Sequence, residues 1–183
     1  DCTYTLWVCI KFLYFYKKAL LKRLFIIRHA KSDQSFFGND FERPLNERGK
    51  TDAPAMANQL LERGIELDAL VSSPAKRAKK TAELFADAFG KSANEIIFIS
   101  ALYHASVGVF YDVISALPDN LDIVAVFSHN PGITYFVNSL NTKARIDNMP
   151  TSGIFAVEMN ITEWSGFTKV KKEFLFFDYP KKN

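Results

Sequence analysis

Four short apolar runs, LFII from Leu24, ALVSS from Ala69, EIIFI from Glu95 and DIVAVF from Asp122, recur along this chain at wide intervals. Between them lie segments whose apolar residues repeat with helical period. Asn46 to Arg63 places Ala53, Met56, Ala57, Leu60 and Leu61 on one side of a helix that Gly64 would stop. Ser73 and Pro74 offer an N-cap and a first helical residue for a second helix, buried through Ala78, Thr81, Ala82, Phe85, Ala86 and Phe89. Val107 to Leu117 reads as a third helix, and Asn130-Pro131 repeats the cap-and-proline start for a fourth that runs through Leu140. After Pro150 the period changes to alternation, so IFAVEM and VKKEFLFF predict two strands joined by a turn around Trp164 to Gly166. Strands that alternate with helices and end in a hairpin predict an α/β fold of three layers, α/β/α, about a mixed, mostly parallel sheet.

No linker rich in Pro, Gly or Ser divides the 183 residues, which predicts one domain over 24–183. Charge is nearly balanced, with 23 basic and 20 acidic residues, and this argues against a nucleic-acid partner. Cys2 and Cys9 are the only cysteines, too few for a disulfide framework or a thiolate metal site, so the default setting is reducing and cytoplasmic. Residues 1–23 stand apart as an extension dense in aromatics and then in lysines. The run is too short, and too interrupted by Lys11, for the roughly 20 apolar residues that span a bilayer. A helix there would align Lys11, Lys18 and Lys22 in one stripe, an arrangement for a membrane surface or a partner; packing on the domain is the simpler expectation.

In an open α/β sheet, ligands bind beyond the carboxyl ends of the strands. The first strand delivers Arg28-His29 to that edge, the second delivers SSPAKR with Arg77 in the first turn of its helix, and the fourth delivers Ser128-His129-Asn130-Pro131. Two arginines and two of the three histidines therefore meet at one end of one sheet. Guanidinium forks and the free N–H groups of a helix start suit a compact anion such as phosphate. No lysine-bearing Gly-rich phosphate loop is present and no set of acids is spaced to hold magnesium, so no metal and no cofactor is expected. A neutral imidazole can attack phosphorus without prior deprotonation. One histidine would accept the phosphoryl group while the other and the arginines stabilise its oxygens.

RHA after the first strand, SSPAKRAKKTAE after the second and SHNP after the fourth together resemble the histidine phosphatase, or phosphoglycerate mutase-like, superfamily. RHAKS and RPLNERG are similar to its SixA-type phosphohistidine phosphatase branch, and the resemblance runs from about Lys22 to Phe177. It implies the phosphoglycerate mutase-like fold, His29 as the nucleophile, and Arg28, Arg77 and His129 as its phosphate pocket. It adds Arg43 of RPL as a substrate-binding residue, with Asn130 beside it. Many members of that superfamily carry a carboxylate after the third strand as general acid; here the region reads SALYHAS, with no Asp or Glu, and His104 lies at the vacant position and could donate a proton.

The missing acid bears on substrate. An alkyl phosphate expels an alkoxide whose parent has a pKa of about 15.7, so it depends on a proton donor. Phosphohistidine expels an imidazole whose conjugate acid has a pKa of about 6.5. Few residues separate the third and fourth strands, leaving no room for a lid over a small substrate. The expected function is a metal-independent phosphatase for phosphohistidine on a protein. A small-molecule phosphomonoesterase and a non-catalytic phosphate-binding module are the alternatives.

Overall fold

The computed structural model describes residues 21–180. β1 (Leu21–Arg28) starts ahead of the apolar run and lies inside a six-stranded sheet with β2 (Ala69–Ser72), β3 (Ile97–Phe98), β4 (Ile123–Ser128), β5 (Ile154–Asn160) and β6 (Glu173–Asp178). The order is β3-β2-β4-β1-β5-β6. β3, β2, β4 and β1 run parallel, whereas β5 and β6 are antiparallel, as the alternation after Pro150 predicts.

Helices α1 (Glu47–Glu62) and α2 (Lys76–Ala88) cover one face, where Met56, Leu60 and Phe85 meet Phe25, Ile27 and Phe127. Helices α3 (Val107–Ser115) and α4 (Gly132–Ser139) cover the other, where Phe110, Phe136 and Val137 meet Leu24, Ile26 and Val126. Leu24 to Ile27 are thus buried from both sides, which explains a continuous apolar run where a half-exposed strand would alternate. Asn46 caps α1 by accepting from the Gly49 N–H, and Gly64 leaves that helix at φ +68°, the left-handed turn glycine permits.

Several expectations need correction. Lys22, placed from sequence on a charged stripe with Lys11 and Lys18, is a buried residue of β1. Its ammonium donates to the carbonyls of Asp119 (2.8 Å) and Leu121 (3.0 Å) and to the Asp122 carboxylate (3.1 Å). Residues 1–20, and the membrane or partner contact considered for them, lie outside the described residues. EIIFI yields only two strand residues, both partly exposed at the sheet edge, because Ala93–Glu95 turns as a 3-10 helix. Leu61 is exposed and Phe89 only half buried. Trp164 is fully buried in the 3-10 segment Trp164–Thr168 that joins β5 to β6; its indole N–H donates to Leu121 O at 2.7 Å.

Both proline-marked helix starts also differ from expectation. Ser73 N–H still donates to Phe127 O as a continuation of β2, so α2 begins only at Lys76 with Ala75 as its cap. Pro131 itself occupies the cap of α4, and Asn130 accepts from the Thr134 hydroxyl at 2.8 Å in place of a backbone N–H. Gly132 then packs its Cα against the chain: an added Cβ would lie 2.0 Å from the Ala105 carbonyl oxygen. Gly132→Ala should destabilise the fold by about 3 kcal/mol, since backbone must move to relieve that overlap. Urea denaturation measures this, and a change under about 0.5 kcal/mol would show that the two segments separate freely.

Candidate active site

The parallel strands end in register, Arg28 opposite Ser128 and Ser72 opposite Phe127, so the residues that follow them emerge side by side. His29 is the first residue past β1. Its N–H donates to Ser128 O (3.0 Å) and its carbonyl accepts from Ser152 N–H (3.3 Å), which grips the backbone on two sides.

The imidazole is oriented just as closely. Nδ1 lies 2.8 Å from the carbonyl oxygen of Ala30, which can only accept, so Nδ1 carries the proton. Nε2 therefore presents its lone pair, and it accepts from Nε of Arg77 at 3.2 Å. Burial, opposed by the Ala30 hydrogen bond and reinforced by the charges of Arg77, Arg28 and Arg43, pushes the His29 pKa down to about 3. The ring is neutral throughout the physiological range.

Arg77 is buried and divides its donors among three acceptors: His29 Nε2, the Asp40 carbonyl (2.6 Å) and Asp40 Oδ2 (2.9 Å). Arg28 donates to Met149 O at 2.6 Å and keeps a buried Nε with no partner among the described residues. Burial and then the neighbouring Arg77 charge lower the Arg28 pKa, the sign of cations crowded around space meant for an anion. The hydroxyl of Thr81 accepts from Ala30 N–H (2.9 Å) and donates to Arg77 O (2.7 Å), fastening the loop after His29 to the helix that carries Arg77.

Of the seven residues singled out from sequence, Arg28, His29, Arg43, Arg77, His104 and Asn130 line one cavity of about 470 Å³. His129 does not reach its wall. It stands behind, its ring centroid 5.0 Å from that of His29, with Nε2 sharing a hydrogen bond with Ser73 Oγ at 2.8 Å. Its Nδ1 is buried without a partner among the described residues, and burial, then proximity to His29 and Arg77, lowers its pKa to about 2. Asn130 is committed to the scaffold, donating to Met149 O (3.1 Å) and to the Asn148 side chain. His104 adopts φ 55°, an uncommon backbone for a residue with a Cβ, and its ring packs 4.1 Å from that of Tyr103.

Three polar residues at the site were not expected there. Ser73, read as a helix cap, serves His129. Tyr103 donates its hydroxyl to Asp40 Oδ2 (2.9 Å). Asp40, in the 3-10 turn Asp40–Glu42, brings into the cavity the carboxylate that the segment after β3 lacks. Partial burial favours its neutral form, but the Tyr103 hydroxyl and the Arg77 guanidinium outweigh it and hold the pKa at about 2. A larger hollow of about 860 Å³ lies beside the Lys76, Lys79 and Lys80 patch. It contains no histidine, and two of its lysines pair with acids, Lys50 with Glu47 (2.6 Å) and Lys80 with Glu83 (3.2 Å).

Residues 24–112, from β1 into α3, match the model of the histidine phosphatase superfamily (branch 1). Over this stretch the chain is similar to the histidine phosphatase superfamily. The matched stretch holds Arg28, His29, Arg43, Arg77 and His104, and His129 follows beyond it. Among solved structures of histidine phosphatases, the chain is similar to the protein histidine phosphatase SixA complexed with tungstate, at 26% identity and a TM-score of 0.72 over 86% of this chain and 96% of that one. A SixA-designated protein from Agrobacterium tumefaciens matches at 25% identity and a TM-score of 0.72, over 87% and 99% of the two chains. By sequence, the 2,3-bisphosphoglycerate-dependent phosphoglycerate mutase of Bartonella tribocorum is 31% identical over 90 residues, 48% of this chain. That match spans 44% of the mutase, and a second, to a Picosynechococcus protein, spans 40% of its length, so the chain covers less than half of these curated relatives.

Proposed function

We propose that the chain is a phosphatase that works through a phosphohistidine intermediate on His29, needs no metal ion, and acts on phosphohistidine carried by a protein. One observation carries the reading: Nδ1–H is pinned to Ala30 O, which leaves Nε2 unprotonated beside Arg77, in a cavity that His29 lines together with Arg28, Arg43 and Arg77. The tungstate in the SixA relative is a compact oxyanion of the kind such a pocket would take.

In the first step Nε2 forms a bond to phosphorus as the bond from phosphorus to the substrate nitrogen breaks. The departing ring, protonated on its other nitrogen by solvent or by His104, leaves with that electron pair as neutral imidazole. Water then attacks phosphorus, the P–Nε2 bond breaks, and the proton lost by water goes to solvent or back to His104. His29 returns to its neutral form. The guanidiniums neutralise the equatorial oxygens, and His129 supports His29 from behind.

Two features favour phosphohistidine on a protein over small phosphomonoesters. The cavity carboxylate, Asp40, is held ionised and cannot supply the proton an alkoxide leaving group requires. Phe37, 97% exposed, stands on the loop that brings Gln34 and Asp40 to the cavity. A protein substrate would cover such a ring, whereas a sugar phosphate has nothing to offer it. A phosphohistidine-bearing carrier protein and p-nitrophenyl phosphate, each assayed in EDTA, test the reading. The carrier should have a kcat/KM about a hundredfold higher, and Phe37→Ala should raise only the carrier KM, by about tenfold. Metal-dependent turnover, or a preference for small monoesters, defeats it.

A further inference from the structure

Two of the three guanidiniums that line the cavity already hold an anion of the chain's own. Oδ2 of Asp40 accepts from Arg77 Nη2 at 2.9 Å and Oδ1 accepts from Arg43 Nη2 at 2.5 Å, so one carboxylate bridges both side chains as two phosphate oxygens would. The Asp40 carbonyl takes a third donor, Arg77 Nη1, and the Tyr103 hydroxyl clamps Oδ2 from the opposite loop.

The arrangement has a physical rationale. Arg77 is 3% exposed, and Arg28 and Arg43 share its cavity, so an uncompensated cluster of cations would be costly to bury. The Asp40 carboxylate neutralises it, while the Asp40 backbone carbonyl, which any substitution keeps, holds Arg77 Nη1 in place. The same charge repels a phosphate dianion seated at those donors. No residue of the Asp40–Glu42 turn is buried, and the Asp40 side chain is 44% exposed, so the turn can yield without disturbing the core. Because the group stays ionised far below neutrality, this opposition is constant across the working pH range.

We propose that Asp40 is a positioning residue that competes with phosphate for Arg77 and Arg43, weakening the hold on product so that inorganic phosphate leaves after each turnover. The role in turnover rests on the phosphatase reading above; the competition itself is a binding property. A stored anion of this kind trades affinity for release, and product release is a common limit on kcat.

Titration calorimetry of the full chain with inorganic phosphate tests it, comparing the native protein with Asp40→Asn and Asp40→Ala. Removing the charge should tighten phosphate binding by about tenfold in both variants. In steady-state assays KM and kcat should fall together in both, as release slows. A merely structural Asp40 predicts the opposite sign, because arginines that lose their register bind phosphate less well. Unchanged or weaker binding in both variants overturns the proposal. Absence of binding in native protein and variants alike overturns both this proposal and the phosphate pocket. Normal phosphate competition in a chain that hydrolyses no phosphorylated compound leaves Asp40 as a competitor and removes only the phosphatase reading.

Discussion

His29→Ala should abolish turnover of every phosphorylated substrate, with kcat falling by about ten-thousandfold or more. The surrounding chain fixes the proton state and direction of Nε2, through Ala30 O on one side of the ring and Arg77 on the other. Mixing the native protein with radiolabelled substrate should trap acid-labile phosphate on the chain, and the variant should trap none. Activity within tenfold of native would sink the covalent mechanism. The same variant has a second readout in stability. An unfolded histidine titrates near 6.5 and folded His29 near 3, so between those values unfolding takes up a proton. The native protein keeps its full stability above the upper value and loses about 1 kcal/mol per pH unit through this group as pH falls towards the lower one. Alanine removes that part of the slope, which urea denaturation at a series of pH values resolves.

Arg77→Lys should lower kcat/KM by about a hundredfold although the charge is retained. Arg77 uses separate nitrogens for His29 Nε2, the Asp40 carbonyl and the Asp40 carboxylate, and a lysine ammonium cannot occupy three such directions at once. The loss should appear in kcat as well as KM, because the Nε that touches the nucleophile and the forked Nη groups are both gone. Arg43→Lys makes a useful comparison: Arg43 is partly exposed and bonded to Asp40 and Gln34, so it should cost less. Equal losses in the two variants would mean that bulk charge, and not the Arg77 fork, sets the rate.

What the sequence made legible is whatever follows from strand ends. Arg28 and His29 could be placed because they directly follow an apolar run, and Arg77 because it lies in the first turn of the helix after one; parallel strands in one register deliver such residues to one edge. His129 followed the same rule and reached His29, though behind the cavity and not on its wall. Asp40 and Tyr103 escaped because they arrive on irregular segments, whose paths are set by contacts distant in sequence. Asn39 accepting from Phe41 N–H marks the 3-10 turn, but a cap does not say where the turn will lie. Ser73 was misread for the opposite reason: Ser-Pro is a genuine helix-start signal, but Ser73 N–H still bonds β4 and the helix starts three residues later, while the Ser73 hydroxyl is shared between Ala75 N–H and His129. The shortening of β3 is local: Ser92 caps a 3-10 turn over Ala93–Glu95, which takes up the start of EIIFI.

The strand that leads into His29 has neighbours on both sides, β4 and β5, and carries the Leu24 to Ile27 core segment. Such a strand exchanges its amide hydrogens only when the whole domain opens, whereas an exposed loop such as that of Phe37 can fluctuate at almost no cost. The site therefore joins an imidazole anchored at the end of a fully buried strand to a rim on which Phe37 lies open to solvent.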